Sequence, residues 1–268
     1  MRFYELNEGI SYKNCLDSFE FDFEHDNKTD IIKLTKSISV YKDLGPCTYF
    51  GYEFEQDIDR DVKKKIIDYL KYSDDKDIKQ LVVRAVNSLY EVVDLSKFKT
   101  IIYPESSSKL NNLIINTIHD VCPVSFNSCK LIKELPKNIE FEYETYKNFL
   151  KNNGVPLKDI ETSCKNVEKM IDNIHDLEYF KIGQNTKVKY RGYLKNFFKF
   201  PNQEQMNAYK NLQNSHVLVI DDISTTHATI KYLLQTLRAV NYKCEIAVFC
   251  LIGNHIKETP CCKKYWLL

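Results

Sequence analysis

Two adjacent carboxylates and a run of hydroxyls lie close together between residues 216 and 229. The residues Val217-Leu-Val-Ile220 are all apolar, which is typical of a central parallel strand, and Asp221 and Asp222 follow them directly. Four hydroxyls come next, from Ser224, Thr225, Thr226 and Thr229. They lead into a predicted helix whose first amides have no intrahelical partners and can bind phosphate. Because carboxylates accept hydrogen bonds from sugar hydroxyls, or hold a metal ion that phosphates carry, the segment predicts a sugar-phosphate site.

The residue order of this segment resembles the phosphoribosyl pyrophosphate (PRPP) motif of type I phosphoribosyltransferases: four apolar residues, two acids, an apolar residue, then Ser-Thr-Thr-x-Ala-Thr. The resemblance implies that Asp221 and Asp222 hold the ribose 2- and 3-hydroxyls. It assigns PRPP and its 5-phosphate to the loop of Ser224, Thr225, Thr226, His227, Ala228 and Thr229. It also implies Mg²⁺ as a cofactor that arrives with PRPP, so that the two acids act on the metal only indirectly. The alternative is a buried strand that ends in a capped helix, with both acids merely solvated.

His227 departs from the motif, because the family usually has glycine there, which lets backbone amides close around phosphate. Three interpretations stay open: His227 donates to the phosphate, it points outward while the amides still bind, or it marks a site that no longer binds PRPP. A second position also differs from one branch of the family. Hypoxanthine-guanine enzymes have an aspartate where this chain has Thr225, so a 6-oxopurine substrate is less expected.

The segment Pro104-Glu-Ser-Ser-Ser-Lys109 follows a short apolar run and precedes a predicted helix. In the family, a pyrophosphate-binding loop comes after the first strand of the core, and this segment has that place. The resemblance therefore assigns the pyrophosphate to Glu105, Ser106, Ser107, Ser108 and Lys109. Amides, hydroxyls and a cation at a helix start suit that role. A plain helix cap, in which a serine satisfies the first amides and Lys109 is solvated, is the alternative.

The stretch from Tyr179 to Gln203 has six basic residues and no acidic one. The basic residues are Lys181, Lys187, Lys189, Arg191, Lys195 and Lys199, and aromatic residues at Tyr190, Tyr193, Phe197 and Phe198 lie among them. Family members close a flexible loop or hood over the substrate, and cations there stabilise the leaving pyrophosphate. Arg191 and Lys195 are predicted for that catalytic role, alongside Asp221 and Asp222. The same composition suits nucleic acid, or a plain solvated face.

The elements that position these residues alternate between strand and helix. Apolar residues at three- and four-residue spacing predict two helices between Ile58 and Val93, broken near Ser73. A strand over Lys99–Tyr103, a helix over Lys109–His119 and a strand over Cys122–Ile132 follow, and the pattern repeats from Val217 to Ile252. Such succession indicates a parallel sheet in an α/β fold. Joined to the resemblance, it predicts a Rossmann-like type I phosphoribosyltransferase core, with an α-rich cap at 1–95 and an inserted hood at about 135–213 within a core of 96–268.

Composition and charge exclude several broad classes. The chain has 268 residues, with 38 Lys and Arg against 37 Asp and Glu, so no global field attracts nucleic acid or membrane. No apolar run approaches the roughly 20 residues that span a bilayer, and the acidic N-terminus does not read as a signal peptide, which together predict a cytoplasmic protein. The nine cysteines have no Cys-x-x-Cys pair, so reduced structural thiols are expected.

These observations favour an enzyme of the pentosyltransferase class. It would bind PRPP with Mg²⁺ and transfer phosphoribose to a nitrogenous base or related acceptor, releasing pyrophosphate. A non-catalytic module that senses PRPP or nucleotides is one alternative, kept open by His227. A nucleic-acid-associated modification protein is another, and it rests on the basic and aromatic stretch alone. A homodimer is an open expectation for the assembly, and no membrane partner is expected.

Overall fold

The computed structural model describes residues 2–5, 19–22, 32–41, 47–54, 60–73, 76–122, 124–180, 185–212, 215–224 and 227–254. Its strands are β1 (Arg2–Glu5), β2 (Phe19–Asp22), β3 (Ile32–Tyr41), β4 (Cys47–Phe54), β5 (Phe98–Pro104), β6 (Asn127–Lys133), β7 (Glu140–Phe141), β8 (Leu194–Lys195), β9 (Phe198–Lys199), β10 (His216–Ser224) and β11 (Glu245–Asn254). Its helices are α1 (Arg60–Tyr72), α2 (Lys76–Val92), α3 (Leu110–Val121), α4 (Tyr143–Asn152), α5 (Leu157–His175), α6 (Val188–Arg191), α7 (Gln203–Lys210) and α8 (Ala228–Val240).

The chain divides into two compact units. Unit 1 comprises Met1–Cys129, Leu212–His227 and Lys243–Leu268, and unit 2 comprises Lys130–Asn211 and Ala228–Tyr242. The domain boundaries that the sequence suggests, at residue 95 and at 135–213, stay predictions.

The sheet of unit 1 is mostly parallel and has β10 near its centre. Its strand order is β3-β4-β11-β10-β5-β6, and β4, β11, β10 and β5 run parallel to one another. The strand β3 pairs antiparallel with β4 at the edge, and β1 and β2 form a separate antiparallel pair. The predicted α/β class with a largely parallel sheet is therefore confirmed. The N-terminal residues supply part of this sheet, because β4 pairs with β11 along most of its length.

Helices α1, α2 and α3 pack around this sheet through their apolar faces. Ile66 and Leu70 of α1, with Leu81 and Ala85 of α2, are buried in one core that also includes Leu218 and other apolar residues of β10 and β11. The predicted pair of helices broken near Ser73 is thus confirmed, because three- and four-residue spacing places apolar side chains on one helical face. Burying such faces is the main favourable term in folding.

Unit 2 is largely helical and has two short antiparallel pairings. The strand β7 pairs with β8, and the end of β6 pairs with β9. Its core contains Phe141, Tyr146 and Tyr193, whose rings lie in edge-on or tilted contact. Helix α8 is held in this unit by hydrogen bonds from the Tyr232 hydroxyl to the Arg191 carbonyl and from Thr236 to the Phe198 carbonyl. None of the helices among the described residues is both long and apolar enough to cross a bilayer.

Candidate functional site

The two carboxylates lie inside β10 rather than beyond its end. Asp221 pairs with Cys250 of β11, and pairing continues through Ile223 to Ser224, which lies opposite Gly253. Asp221 is 4 % exposed and Asp222 is 2 % exposed. The prediction that the strand ends at these two acids is therefore wrong, and so is the alternative in which both acids are merely solvated. The ladder with β11 continues past both acids, because Ile223 and Ser224 also take extended backbone in the sheet.

Asp222 forms an ion pair with Lys71, a residue that no motif in the sequence singles out. The Lys71 Nζ atom lies 3.0 Å from Asp222 Oδ1, and the side chains are 24 % and 3 % exposed. Asp222 Oδ1 also accepts a hydrogen bond from the Ile223 amide at 2.6 Å. Burial lowers the pKa of Lys71, but the charge of Asp222 and the hydrogen bond to it outweigh burial, so the net pKa is raised. The ammonium therefore stays charged at neutral pH.

Asp221 forms no ion pair with a cation of the described part of the chain. Burial, followed by the charge of neighbouring Asp222, raises the pKa of Asp221 to about 8, against a smaller lowering by Lys71. The Oδ2 atoms of Asp221 and Asp222 are both buried and have no hydrogen-bond partner among the described residues. Buried polar atoms are nearly always satisfied in native proteins. The two oxygens are therefore available to accept hydrogen bonds from the hydroxyls of a ligand.

His227 closes the turn that follows β10. Its backbone has φ of 55°, in the left-handed region that glycine adopts readily. Its Nδ1 atom is hydrogen-bonded to Ser224 Oγ at 2.9 Å, and its ring centroid lies 5.5 Å from that of Phe50. The side chain is 5 % exposed, so the interpretation in which it points outward is wrong. The backbone keeps the conformation that the motif's glycine would supply, because the sheet and the Ser224 contact hold the imidazole inside.

The motif also predicts phosphate contacts at four residues on either side of His227. Thr225 and Thr226 are outside the described residues. Ala228 and Thr229 are the first two residues of α8, both half-buried. Their predicted contact with a 5-phosphate stays a prediction.

One serine of the loop at 104–109 accepts a hydrogen bond from the first amide of α3. Ser108 Oγ accepts a hydrogen bond from the Leu110 amide at 3.1 Å, and Ser106 Oγ accepts one from the Ser108 amide at 3.1 Å. Glu105, Ser106, Ser107 and Lys109 are exposed, and Ser108 is buried. The Ser107 hydroxyl lies 3.5 Å from the hydroxyl of Tyr72, at the end of α1. Ser108 thus accepts from the first amide of α3 and Ser106 accepts within the loop, while Ser107 faces the end of the helix that carries Lys71.

Arg191 and Lys195 have local partners within unit 2. Arg191 Nε donates to the Thr186 carbonyl at 3.1 Å, and Lys195 Nζ lies 2.9 Å from Glu142 Oε1. The aromatic residues of this stretch are buried rather than displayed, at Tyr190, Tyr193, Phe197 and Phe198. Nucleic-acid binding by base stacking on these four rings is therefore wrong for this conformation. Nucleic-acid binding through the cations alone stays a prediction.

Metal binding by protein side chains has no support among the described residues, since no cluster of three or more His, Cys, Asp or Glu side chains could hold an ion there. The described cysteines Cys122, Cys129, Cys164, Cys244 and Cys250 are free thiols and buried. Burial, and then the charges of Asp221 and Asp222, raises the pKa of Cys250 well above its ordinary value. The Cys250 thiol is therefore neutral, and it borders the two acids without acting as a nucleophile.

We call the cluster of Lys71, Asp221, Asp222, Ser224 and His227 the acid-pair site. Sequence reasoning found four of its five members, because they are adjacent in one motif. It missed Lys71, which is one of several lysines on an amphipathic helix and lies far from the motif in sequence. Only the tertiary fold brings its ammonium to Asp222.

Comparisons with known proteins give little more. No protein-family model and no curated protein matches the sequence. Among solved structures, a hypoxanthine phosphoribosyltransferase from Staphylococcus aureus matches 68 % of this chain and 74 % of its own, with 10 % identity and a TM-score of 0.34. A likeness at that TM-score carries no weight for function. The functional case therefore rests on the acid-pair site itself.

Proposed function

We propose that this protein binds PRPP at the acid-pair site and transfers the phosphoribosyl group to a nitrogenous base or related acceptor, with release of pyrophosphate. One observation carries the proposal. Two adjacent acids lie on a central parallel strand, and the turn after them is left-handed at His227, where the motif of type I phosphoribosyltransferases has glycine. Ligands of open α/β sheets bind beyond the carboxyl ends of the strands, which is where this turn lies.

The chemistry of the acids suits ribose. A ribose ring presents its 2- and 3-hydroxyls as two neighbouring donors, and Asp221 Oδ2 and Asp222 Oδ2 are two neighbouring buried acceptors without partners in the described structure. Leaving a buried acceptor unsatisfied costs about 1–3 kcal/mol, so two donors from a ligand would recover that cost. The 5-phosphate is assigned to residues 224–229, and Mg²⁺ bound with PRPP would neutralise the pyrophosphate.

The proposed transfer asks for positioning rather than covalent help. The bond between ribose C1 and the pyrophosphate oxygen breaks, and pyrophosphate leaves with the electron pair. The acceptor nitrogen then forms the new bond to C1 and loses its proton to solvent. Holding the ribose hydroxyls fixes C1 in place, and such positioning lowers the entropic part of the barrier. This mechanism needs no nucleophile from the protein, which agrees with the neutral, buried thiol of Cys250.

A binding module without turnover is the second candidate, and the Lys71–Asp222 ion pair favours it. Asp222 already has a cation at 3.0 Å, and burial, followed by the charge of Asp222, raises the pKa of Asp221 and so disfavours its carboxylate form. Lys71 thus holds Asp222 Oδ1 and leaves a ligand only Oδ2 of that acid as an acceptor. The predicted catalytic cations Arg191 and Lys195 have partners of their own. A sensor of PRPP or nucleotides would need the contact between the ligand and the two acids, but it would not need catalytic cations.

Pyrophosphate release separates the two candidates. The protein would be incubated with PRPP, MgCl₂ and a panel of purine, pyrimidine and other nitrogenous acceptors, and pyrophosphate would be followed with time. Calorimetric titration with PRPP gives binding on its own. Release with any acceptor supports the transferase, whereas binding without release supports the sensor.

Asp222→Asn is expected to weaken PRPP binding at least tenfold, because it removes one charge-assisted acceptor. Asp120→Asn is the matched control, since Asp120 is an exposed acid on α3. Absence of PRPP binding by the unaltered protein would reject the transferase and a sensor of PRPP.

A further inference from the structure

Lys71 reaches the acid-pair site from the last turn of α1. Ile66 and Leu70 of the same helix are buried in the core of unit 1, and they fix the helix against the sheet. The Lys71 side chain is 24 % exposed, so its aliphatic part is packed while its ammonium meets Asp222. A lysine tip on a flexible stem can move by a few ångströms without moving its helix.

The next residue along α1 faces the serine-rich loop. The Tyr72 hydroxyl lies 3.5 Å from the Ser107 hydroxyl, whereas Lys71 Nζ lies 3.0 Å from Asp222. Two consecutive residues of one helix therefore contact two segments that the sequence predicts to bind parts of one ligand. The end of α1 lies next to both the ribose acceptors and the loop predicted for pyrophosphate.

Charge balance limits which ligand fits beside Lys71. In the ligand-free arrangement, Asp222 compensates the ammonium. Ribose hydroxyls that donate to Asp222 Oδ2 would draw on the charge of the carboxylate that compensates Lys71, so a second anionic group beside the ammonium would stabilise it further. A neutral sugar offers none. A sugar that carries a diphosphate on C1 offers one on the side of the ring next to the ribose hydroxyls.

We propose that Lys71 binds the pyrophosphate group of the ligand, its ammonium moving from Asp222 Oδ1 to the pyrophosphate oxygens while the ribose hydroxyls donate to the Oδ2 atoms of the two acids. This inference rests on the proposed function, because it assumes that the acid-pair site takes a phosphorylated ribose. It makes Lys71 the residue that distinguishes PRPP from ribose 5-phosphate.

The test compares two ligands that differ only in the pyrophosphate. PRPP and ribose 5-phosphate would each be titrated, with MgCl₂, into the unaltered full-length protein and into Lys71→Gln. The variant is expected to bind PRPP roughly ten- to a hundredfold more weakly, because a charge-assisted contact is lost. Its affinity for ribose 5-phosphate is expected to stay within about threefold or to improve, since Asp222 is no longer held by a cation.

Three further variants sharpen the comparison. Lys71→Arg keeps the cation and is expected to preserve the preference for PRPP. Lys64→Gln removes an exposed lysine from the same helix, and it is expected to change neither affinity. Lys71→Met keeps the apolar stem and carries the same comparison should Lys71→Gln fail to fold.

The outcomes separate this inference from the function beneath it. Selective loss of PRPP affinity supports the assignment of Lys71. If the affinities for both ligands fall equally, Lys71 has a structural role only. If PRPP binds as tightly as before or more tightly, Lys71 competes with the ligand. Either result overturns the inference and leaves the proposed function standing. Failure of the unaltered protein to bind either ligand overturns the proposed function, and the role of Lys71 with it.

Discussion

Ser224, the last residue of β10, and His227 are hydrogen-bonded to each other, with Ser224 Oγ and His227 Nδ1 2.9 Å apart. The backbone of His227 is left-handed, with φ of 55°, a conformation that a side chain with Cβ makes unfavourable. The hydrogen bond and the packing of the imidazole against Phe50 offset that strain. A buried histidine therefore has, in this chain, a backbone conformation that glycine adopts without steric strain.

Replacing His227 separates backbone strain from side-chain packing. His227→Gly and His227→Ala both remove the buried ring and its bond to Ser224, so both are expected to destabilise the fold by about 1–3 kcal/mol. Glycine relieves the strain at φ of 55° and alanine does not. We therefore expect His227→Gly to be more stable than His227→Ala by about 1 kcal/mol in urea unfolding.

The pair also contains its own control, because the two variants differ by a single methyl group. If His227→Ala were as stable as His227→Gly, the turn would not be strained at this residue, and the parallel with the motif's glycine would lose its physical basis.

Asp221 predicts a pH dependence of stability. Burial, and then the charge of Asp222, raises its folded-state pKa to about 8, far above the value of about 3.9 for an unfolded chain. Between those two values the folded protein holds a proton that the unfolded chain releases. The contribution of Asp221 to the free energy of unfolding is therefore largest below about pH 4. That contribution is lost as the pH rises towards 8.

Asp221→Asn keeps the shape and removes the titration. Its free energy of unfolding, measured in urea at pH 5, 6, 7 and 8, is expected to fall less with pH than that of the unaltered protein. The difference in slope is at most about 1.4 kcal/mol per pH unit, which corresponds to one proton. The exposed Asp120→Asn should keep the original slope. Identical slopes for Asp221→Asn and the unaltered protein would contradict the raised pKa.

Burial also changes what a double substitution of the acids should do. Were both acids at an exposed strand end, Asp221→Asn with Asp222→Asn would leave stability unchanged. Inside the strand, the second change instead leaves Lys71 without its carboxylate partner. Stability measurements on acid variants therefore need to accompany every binding measurement.

Local patterns were enough to predict much of the fold. The apolar run Val217–Ile220 predicted a central strand, and the spacing around Ile66, Leu70 and Leu81 predicted α1 and α2. These succeed because side-chain periodicity reports which face of an element is buried.

Patterns failed where distant residues decide the environment. Two consecutive acids look solvent-exposed in a sequence, yet pairing with β11 continues past them and Lys71 compensates Asp222. The rings of Tyr190 and Phe198 lie among lysines in the sequence but are buried in unit 2. In both cases the burial depends on contacts between segments far apart in the chain, which a local window cannot contain.

Gly253 couples the sheet to the turn at His227, and its replacement should disturb both. It lies opposite Ser224 in the β10–β11 ladder, and a Cβ there would overlap the ring of Phe50, 2.6 Å from Cε1 and closer to two other ring carbons. Because Phe50 is fully buried, its ring has little room to move, and Gly253→Ala is expected to destabilise the fold by about 1–3 kcal/mol.

Phe50 also packs against His227, so ribose 5-phosphate binding should weaken as well. Phe50→Leu in the Gly253→Ala background should recover part of the stability, measured by urea unfolding as a double-mutant cycle. Additive losses would show that Phe50 is not what Gly253 accommodates.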